Sequence, residues 1–208
     1  MVDAVDFWDA RAESYSKSSV GNEEAYNEKL RTTQKYFDKE SLVFEFGCGT
    51  GTTAIHHAPF VQRIVATDIS SNMIEIAKNK ALAENITNIE FQRSTLEDFE
   101  ATDASFNVVM AHNILHLLED PEQAIKIAYR LLKPGGVFVT STVCLGDSFS
   151  HWRVLLIIGK LFRKVPYVNV LKRETLNRYL SDAGFAVDLE WNRKKQTPFI
   201  ILKKPAAR

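Results

Sequence analysis

A short glycine-rich turn, and an aspartate that lies 17 residues after it, are the features of this sequence that could do chemistry. The turn Gly47–Gly51 (GCGTG) follows the apolar run Ser41–Phe46, and Asp68 follows the apolar run Arg63–Thr67. Glycines let a backbone approach a ligand closely, and the N–H groups that open a following helix favour a small anionic group. A carboxylate at the end of the second strand can accept hydrogen bonds from two vicinal ribose hydroxyls. Together they predict a site for a ribose-containing ligand.

The spacing of the glycines excludes two familiar phosphate-binding turns. A P-loop ends in Gly-Lys-Ser/Thr, whereas Gly51 is followed by Thr52 and Thr53. The dinucleotide fingerprint needs glycines at positions 1, 3 and 6, and here they stand at positions 1, 3 and 5. The alternative is a turn that only joins a strand to a helix, with Asp68 as an ordinary loop residue. The strand, the turn and the placed acid occur together, which favours the ligand site.

The segments around this turn predict a parallel sheet with helices on both faces. Amphipathic segments alternate with apolar runs, and the strand candidates are Ser41–Phe46, Arg63–Thr67, Ile89–Gln92, Phe106–Met110 and Val137–Val143. Two closing runs, Phe185–Trp191 and Phe199–Leu202, are joined by a loop too short for a parallel connection, so they predict an antiparallel pair. The predicted fold class is α/β: a doubly wound, Rossmann-like sheet of seven mostly parallel strands, with a C-terminal antiparallel hairpin and N-terminal cap helices.

Five helices are predicted from the spacing of apolar residues and from capping residues. Their markers are, in chain order, the face Val5, Trp8, Ala12 and Tyr15; the span Glu23–Phe37; the face Ile74, Ala77 and Ala81 after a cap at Ser70 or Ser71; the segment capped by Asp120, with the face Ala124, Ile125, Ala128, Leu131 and Leu132; and the face Leu176, Tyr179, Leu180 and Ala183 before Gly184. In the fourth helix Pro121 takes the first position, Gln123 completes a capping box, and the run Pro134-Gly135-Gly136 ends it.

Length and composition favour a single domain over residues 1–208. We divide it into N-terminal cap helices (1–39), a binding core (40–143), a lid insertion (144–171), and a closing helix and hairpin (172–208). Hydrophobic residues are 45% and charged residues 25%, which excludes a wholly disordered chain. The net charge of zero conceals a division, because residues 1–150 carry a net −9 and residues 151–208 a net +9. The basic part could face an anionic partner or be an ordinary solvated surface.

The two cysteines and the N-terminal residues predict a cytoplasmic location. Cys48 and Cys144 form neither a metal-ligand pattern nor a disulfide framework, so no metal site is predicted and a reducing compartment is favoured. The acidic N-terminus does not have the pattern of a secretory leader. The most apolar run, Val154–Phe162, is far shorter than the ~20 residues that a membrane span requires.

Several motifs resemble those of the class I S-adenosylmethionine-dependent methyltransferases. The segment VFEFGCGTG at Val43–Gly51 resembles the first motif of that family, and ATDIS at Ala66–Ser70 resembles the second. FWDARAESY at Phe7–Tyr15 is similar to its N-terminal cap helix, and LLKPGG at Leu131–Gly136 to the turn before its fifth strand. NILHLLEDPEQAI at Asn113–Ile125 is similar to the segment after strand four. The resemblance covers nearly the whole chain and points to the small-molecule branch that includes the quinone-biosynthesis methyltransferases.

The resemblance implies a cofactor, S-adenosyl-L-methionine, whose product is S-adenosyl-L-homocysteine, and a role for each matching residue. The backbone of the turn would take the methionine part and Asp68 the ribose hydroxyls. Tyr15 would close over the methionine carboxylate, and Glu45 would hold the turn and the methionine amino group. The implied cofactor-binding residues are Tyr15, Glu45, Gly47, Cys48, Gly49, Gly51, Asp68, Ile69, Met73, Thr95, Leu96 and His112.

The chain departs from the family after the third strand, where an acid usually accepts a hydrogen bond from the adenine amino group. Thr95 stands at that position. Either its hydroxyl and the Leu96 amide take the role, or Glu97 or Asp98 does. Cys48 is not favoured as a nucleophile, because no base is placed beside it. His56 and His57 are expected to be ordinary surface or half-buried residues.

A general base and a lid are expected near the carboxyl ends of the strands. Methyl transfer depends mainly on positioning, although a histidine could remove an acceptor proton near neutral pH. His112, His116 and His151 are the candidates, with His116 as the catalytic residue and packing as its equally favoured alternative. Residues 151–168 predict an apolar lid in which Trp152 and Phe162 cover the acceptor. Because Arg153, Lys160 and Lys164 form one stripe, weak contact with an anionic membrane is the alternative to the favoured lid.

We therefore predict an enzyme that moves a methyl group to a small, hydrophobic acceptor by in-line displacement. One alternative is a module that binds S-adenosylmethionine without catalysis. Another is a nucleic-acid methyltransferase, which the basic C-terminal part suggests. It is disfavoured because the sequence after the fourth strand, Ala111-His112-Asn113-Ile114, does not match the motif used for methylating base amino groups. Neither the acceptor nor the oligomeric state follows from the sequence.

Overall fold

The computed structural model describes residues 3–18, 21–147, 167–191 and 197–206. Within these ranges the α-helices are α1 (Ala4–Ser16), α2 (Glu23–Gln34), α3 (Thr52–His57), α4 (Ser71–Ala83), α5 (Pro121–Leu131) and α6 (Arg173–Asp182). The strands are β1 (Leu42–Phe46), β2 (Arg63–Asp68), β3 (Ile89–Arg93), β4 (Phe106–His112), β5 (Leu132–Ser141), β6 (Ala186–Trp191) and β7 (Phe199–Lys203). Each predicted strand and helix is present, with shifts of a few residues at several ends.

The seven strands form one sheet in the order β3-β2-β1-β4-β5-β7-β6. All neighbours are parallel except β7, which is antiparallel to both β5 and β6. The predicted doubly wound sheet with a closing hairpin is therefore confirmed. The strand order reverses between β1 and β4, where Glu45 pairs with Met110, so the carboxyl ends of these two strands flank the crevice in which such sheets bind ligands.

Apolar side chains cover both faces of the sheet because strands buried on two sides alternate between them. Phe44 and Phe138 belong to a buried cluster that includes residues of α5 and α6, and Val43 and Val139 belong to a second cluster that includes residues of α3 and α4. The edge strand β6 is largely exposed. This two-sided core fixes the strand ends that carry the polar residues discussed below.

The boundary between α5 and β5 differs from the prediction. Asp120 caps α5 by accepting a hydrogen bond from the Gln123 amide at 2.8 Å, and Pro121 takes the first position, as predicted. The helix nevertheless ends at Leu131, and residues 134–136 belong to β5. Backbone hydrogen bonds between Gly135 N and Lys204 O and between Lys204 N and Gly136 O hold them beside the residue that follows β7. Hydrogen bonds with a residue distant in the chain therefore extend β5 through residues 134–136, whose types are typical of a turn.

The two N-terminal helices cover the carboxyl ends of the strands. α2 ends at Gln34, three residues before the predicted end at Phe37. On α1, Ala12 is buried, whereas Tyr15 is 50% exposed. The predicted apolar face of α1 thus lies partly over open space rather than on the core.

Part of the predicted lid insertion, residues 148–166, lies outside the described residues. None of the helices in the described ranges has the length and apolar character needed to cross a membrane.

Candidate active site

The three glycines of the turn have different structural roles. Gly47, Gly49 and Gly51 have φ angles of +65°, +54° and +73°, in the left-handed region that favours glycine. A Cβ on Gly47 would lie 2.6 Å from Ile114, and one on Gly51 would lie 2.8 Å from Ala77, so packing requires both glycines. A Cβ on Gly49 would meet only the Tyr15 ring, at 3.8 Å. Gly49 is therefore the glycine that keeps space open for a ligand.

Asp68, the last residue of β2, is hydrogen-bonded to the turn. Its Oδ2 accepts from the Gly49 amide and its Oδ1 from the Ser70 amide, both at 2.9 Å. Burial raises the pKa of Asp68, and these hydrogen bonds counteract part of the rise. A carboxylate has about four acceptor positions, so Asp68 retains capacity to accept from a ligand hydroxyl. This geometry suits the predicted pair of ribose hydroxyls.

Asp9 attaches α1 to the same loop, an arrangement that the sequence analysis missed. Its Oδ1 accepts from the Ser70 hydroxyl at 2.5 Å and from the Asn72 amide at 3.1 Å, while the Asn72 side chain donates to the Asp9 carbonyl at 3.1 Å. The hydrogen bonds to Ser70 and Asn72 lower the pKa of Asp9, so it is ionised at neutral pH. We call these contacts the α1 latch, because they hold Tyr15 and Trp8 over the strand ends.

Lys80, on α4, supports the other end of the turn. Its ammonium donates to the hydroxyls of Thr50 and Thr52, at 3.1 and 3.0 Å. Burial lowers the pKa of Lys80. The turn is thus held by the Asp68 carboxylate on one side and by a lysine on the other.

Glu45 lies at the bottom of the site with an unsatisfied oxygen. Its side chain is 2% exposed, and Oε2 has no hydrogen-bond partner among the described residues. Burial, reinforced by the nearby charge of Asp68, raises the pKa of Glu45 to about 8. An ammonium group placed beside it would provide the missing partner and favour ionisation. The glutamate therefore fits the predicted contact with a methionine amino group.

Two cavities meet at the turn. The first cavity, of about 520 Å³, is lined by residues that include Trp8, Asp68, Met73, Leu96, Ile114 and Leu117. The second cavity, of about 380 Å³, is lined by residues that include Tyr26, Lys29, Glu45, Thr53, His57 and Ser141. Tyr15, Gly47, Gly49, His112 and Asn113 line both. A ligand in the first cavity can therefore extend over the turn to the second.

The first cavity has an apolar wall suited to a flat ring. The predicted adenine residues Ile69, Met73, Thr95 and Leu96 all line it. The Thr95 hydroxyl donates to Asp98 Oδ2 at 2.7 Å and accepts from the Asp98 amide at 3.0 Å. Glu97 lines the first cavity, whereas Asp98 does not. Of the two acids considered after the third strand, Glu97 is the better placed for a ring amino group.

His112 and Asn113 form the end of β4 between the two cavities. The His112 Nδ1 lies 3.4 Å from the Ser141 hydroxyl, and burial, with a smaller effect of the Lys29 charge, lowers its pKa to about 4. Asn113 has a φ of +56°, and its amide donates to the Ser141 carbonyl at 2.6 Å. Asparagine tolerates this conformation better than most residues. Asn113 lines both cavities, although nothing in the sequence pointed to a role of its own for this residue.

His116 is not among the described residues that line either cavity. Its Nδ1 lies 3.0 Å from the Thr142 hydroxyl, its own amide donates to the same hydroxyl, and its carbonyl accepts from the Asn169 amide. Burial lowers its pKa to about 4, so the ring is neutral. These contacts correspond to the packing alternative rather than to catalysis.

The structure corrects the expectation for His57 and agrees with that for Cys48. His57 is fully buried rather than at the surface or half-buried, because α2 covers it and Phe37 packs edge-on at 4.9 Å. Cys48 is also buried, and burial raises the pKa of its thiol well above the usual range. A protonated, enclosed thiol is a poor nucleophile.

The predicted acceptor-binding residues Trp152 and Phe162, with His151 and the basic stripe Arg153, Lys160 and Lys164, lie outside the described residues. Within the described ranges, no three histidine, cysteine or acidic side chains are grouped so that they could hold a metal ion.

Comparisons with known proteins show what this chain is similar to. Residues 43–136 match the model of the methyltransferase domain family. The chain is 31% identical over 100 residues to the uncharacterized methyltransferase YcgJ of Bacillus subtilis, covering 48% of this chain and 40% of that protein. It is 30% identical over 163 residues to a ubiquinone biosynthesis O-methyltransferase of Vibrio atlanticus, covering 77% of this chain and 66% of that protein. The chain thus spans between two fifths and two thirds of these relatives.

A solved structure has the same fold. Geranyl diphosphate C-methyltransferase of Streptomyces coelicolor, in complex with Mg²⁺, geranyl diphosphate and S-adenosyl-L-homocysteine, superposes with a TM-score of 0.72 at 16% identity. The superposition covers 88% of this chain and 79% of that one. At this identity the similarity establishes the fold.

Proposed function

The chain belongs to the class I S-adenosylmethionine-dependent methyltransferases, and on that premise we propose that it transfers a methyl group from S-adenosyl-L-methionine to a small-molecule acceptor. The observation that carries the proposal is the connection between the turn and the acid. Asp68 is fixed by the amides of Gly49 and Ser70 and keeps acceptor positions for a ribose. Gly49 keeps the adjoining space open.

The residues around the two cavities provide a place for each part of the cofactor. Ile69, Met73 and Leu96, which line the first cavity, would enclose the adenine, and Asp68 would accept from the ribose hydroxyls. The backbone of Gly47–Gly51 would hold the methionine part, and the unpartnered oxygen of Glu45 would accept from its ammonium. Tyr15 closes the site from α1. When bound, the cofactor would supply an electrophilic methyl carbon on its sulfonium, to which an acceptor could bond in line while the carbon–sulfur bond breaks and S-adenosyl-L-homocysteine leaves as the neutral thioether.

The chain's own contribution to the reaction is mainly positioning, which can account for much of such a rate enhancement. His112 is the histidine that lines both cavities, and with a pKa of about 4 it is neutral at pH 7. A neutral imidazole can accept a proton from an acceptor hydroxyl, although so low a pKa makes it a weak base. We therefore assign any proton transfer to His112 in preference to His116.

A hydrophobic acceptor covered by Trp152 and Phe162 remains part of the proposal. The name of the Vibrio relative, an O-methyltransferase of ubiquinone biosynthesis, supports a small, apolar acceptor. We favour a lid that closes on the protein over weak contact of residues 151–168 with an anionic membrane, and no nucleic-acid partner is proposed. The two free cysteines support a reducing, cytoplasmic location.

Calorimetry tests the cofactor, and labelled methyl transfer tests the reaction. We expect S-adenosyl-L-methionine and S-adenosyl-L-homocysteine to bind, and NADH to bind more weakly than either. Tighter binding of NADH would contradict the proposal. Incubating the protein and methyl-labelled cofactor with fractionated metabolite extracts should transfer label to an apolar fraction. Binding without transfer to any fraction would instead indicate a non-catalytic binding module.

A further inference from the structure

Asn113 presents an unpaired polar side chain at the junction of the two cavities. It is exposed and lines both cavities, and its carboxamide makes no hydrogen bond to a described residue. Two of the other residues that line both cavities are glycines. His112 already has its Nδ1 3.4 Å from the Ser141 hydroxyl, and Tyr15 reaches the junction from α1. The end of β4 therefore offers an amide group to a ligand at the junction.

The backbone of Asn113 has a conformation that asparagine adopts at a cost. Its φ is +56°, in the left-handed region, and its amide donates to the Ser141 carbonyl at 2.6 Å, just after β4 pairs His112 with Ser141. Asparagine in this region can form local side-chain hydrogen bonds, whereas the Asn113 carboxamide forms none with the described residues. Glycine would adopt the same backbone more easily. An unpaired polar side chain at such a position indicates contact with a ligand.

The sulfur of the cofactor would lie at the same junction. In the proposed function, Asp68 takes the ribose in the first cavity, and Glu45 takes the methionine ammonium in the second. The sulfur joins these two parts covalently, so it must lie between the cavities. The residues that line both cavities, Asn113 among them, are then the ones nearest to the sulfur and its methyl group.

The charge of the sulfonium determines which end of the Asn113 carboxamide would face it. A carboxamide has an acceptor oxygen at one end and a donor NH₂ group at the other. A sulfonium is positive, and its methyl hydrogens are weak hydrogen-bond donors, so it attracts the oxygen and repels the NH₂ group. No hydrogen bond to a described residue holds the carboxamide in another orientation.

We propose that the Asn113 side-chain oxygen contacts the sulfonium methyl group of the cofactor and so distinguishes the charged cofactor from the neutral product. The proposal rests on the proposed function and deepens it by naming a residue that recognises this charge. When the methyl carbon bonds to the acceptor, the carbon–sulfur bond breaks and its electron pair stays on the sulfur, which becomes a neutral thioether. Both the charge and the methyl hydrogens are then gone, so Asn113 favours exchange of the product for fresh cofactor.

Sinefungin and S-adenosyl-L-homocysteine are the probes, and calorimetry measures their affinities. Sinefungin has a carbon with an amino group in place of the sulfur, and the two molecules are otherwise alike. We expect Asn113→Gly to weaken sinefungin about tenfold and S-adenosyl-L-homocysteine less than twofold, since hydrogen bonds to charged groups are the strong ones. S-adenosyl-L-methionine should be weakened about threefold, because a methyl group is a weaker donor than an ammonium.

Asn85→Gly is the matched control for the loss of an asparagine at positive φ. Asn85 is exposed, has the same φ of +56°, and is not among the described residues that line either cavity. Neither probe should change its affinity for this variant by more than twofold.

Asn113→Asp tests the orientation of the side chain. Aspartate also tolerates this φ, and when ionised it has only acceptor oxygens. The variant should therefore keep or increase the ratio of sinefungin affinity to S-adenosyl-L-homocysteine affinity. This variant also decides the question if Asn113→Gly does not fold.

Three results would overturn the proposal. Equal weakening of both probes by Asn113→Gly would mean that the carboxamide contacts a part that the two molecules share, such as the methionine carboxylate. An unchanged sinefungin affinity would mean that it contacts neither. A fall of the ratio in Asn113→Asp would mean that the NH₂ group faces the ligand. If the unmodified protein does not bind S-adenosyl-L-homocysteine, the proposed function itself fails, which keeps the two failures distinct.

Discussion

The two cavities on either side of the glycine turn differ in how their polar groups are satisfied. In the first cavity the Asp68 carboxylate is already held by the amides of Gly49 and Ser70, and the surrounding wall is apolar. In the second, Glu45 and His57 each have a buried polar atom without a hydrogen-bond partner among the described residues. The acid of the first cavity is held in place by hydrogen bonds without a ligand, whereas two polar atoms of the second cavity still lack a hydrogen-bond partner.

Because of this difference, the two cavities suit different parts of a ligand. A carboxylate fixed by backbone amides keeps its geometry whatever binds, which suits a ligand part common to many enzymes, such as a ribose. Unsatisfied buried groups lower stability unless a specific ligand pairs with them, so they indicate the chemistry of that ligand. The first cavity therefore suits the ribose and ring of the cofactor, and the unpartnered oxygen of Glu45 in the second suits its ammonium.

The largest effect is expected where the two cavities join, at Gly49. Gly49→Val should reduce binding of S-adenosyl-L-homocysteine by at least ~100-fold, because its side chain would occupy the open space below the Tyr15 ring. Calorimetry measures the affinity, and circular dichroism checks the fold. Retained affinity would show that the ligand lies elsewhere.

Gly135→Val is the matched control for backbone strain. Gly135 also has a positive φ, of +80°, and nothing lies within 4 Å of a Cβ placed there. A side chain in this region costs about 1–2 kcal/mol wherever it occurs. Equal loss of binding in both variants would mean that strain, and not the filled space, is responsible.

A substitution of Asp68 tests the first cavity, in which the carboxylate is already held by hydrogen bonds. Asp68→Ala should weaken S-adenosyl-L-homocysteine about 10- to 100-fold, since hydrogen bonds to a charged group contribute roughly 1.5–3 kcal/mol. The substitution also frees the Gly49 amide, so the turn loses part of its support. The control is Glu75→Ala, an exposed acid on α4 that does not line the first cavity. An equal effect of both substitutions would contradict a direct contact with the ribose.

Ligand binding beside Glu45 in the second cavity should be accompanied by release of a proton. Glu45, with a pKa of about 8, is protonated at pH 7 and must ionise when an ammonium binds beside it. The affinity for S-adenosyl-L-homocysteine should therefore rise up to about 50-fold between pH 6 and pH 8, with release of about one proton at pH 7. Calorimetry in buffers of different ionisation enthalpy measures the release. Glu45→Gln should abolish it, and proton uptake by the unmodified protein would refute the assignment.

The sheet and the organised side of the site could be predicted from sequence because both depend on local patterns. Apolar runs, the capping residues Asp120 and Ser70, and the glycine spacing each act within a few residues, and the resemblance to a family supplied the role of Asp68. The end of α5 could not be predicted, because residues 134–136 join β5 through hydrogen bonds with Lys204, some 70 residues away in the chain.

The unsatisfied side was missed for a related reason. Nothing in the local sequence distinguishes buried His57 from exposed His56, since the difference arises from the packing of Phe37 against α3. His116 was likewise a candidate because of its expected place near the strand ends, and its contact with the Thr142 hydroxyl depends on where β5 ends. The burial of His57 could have been predicted from the sequence only by assuming that Phe37 packs against it.

The smallest effect is expected for the α1 latch, which sets how long the first cavity stays covered. Asp9 is ionised and accepts from the Ser70 hydroxyl and the Asn72 amide, and Ser70 in turn donates its amide to Asp68. Asp9→Asn keeps the size of the side chain and removes its charge, which should cost about 1 kcal/mol in the closed state. The dissociation rate of S-adenosyl-L-homocysteine should then rise about fivefold, because 1 kcal/mol corresponds to about a fivefold change in the population in which these contacts are broken. Stopped-flow fluorescence of Trp8, which lines the first cavity, reports the rates. Asp6→Asn, an exposed acid on the same helix, is the control, and an unchanged dissociation rate in Asp9→Asn would show that α1 covers the site without the latch.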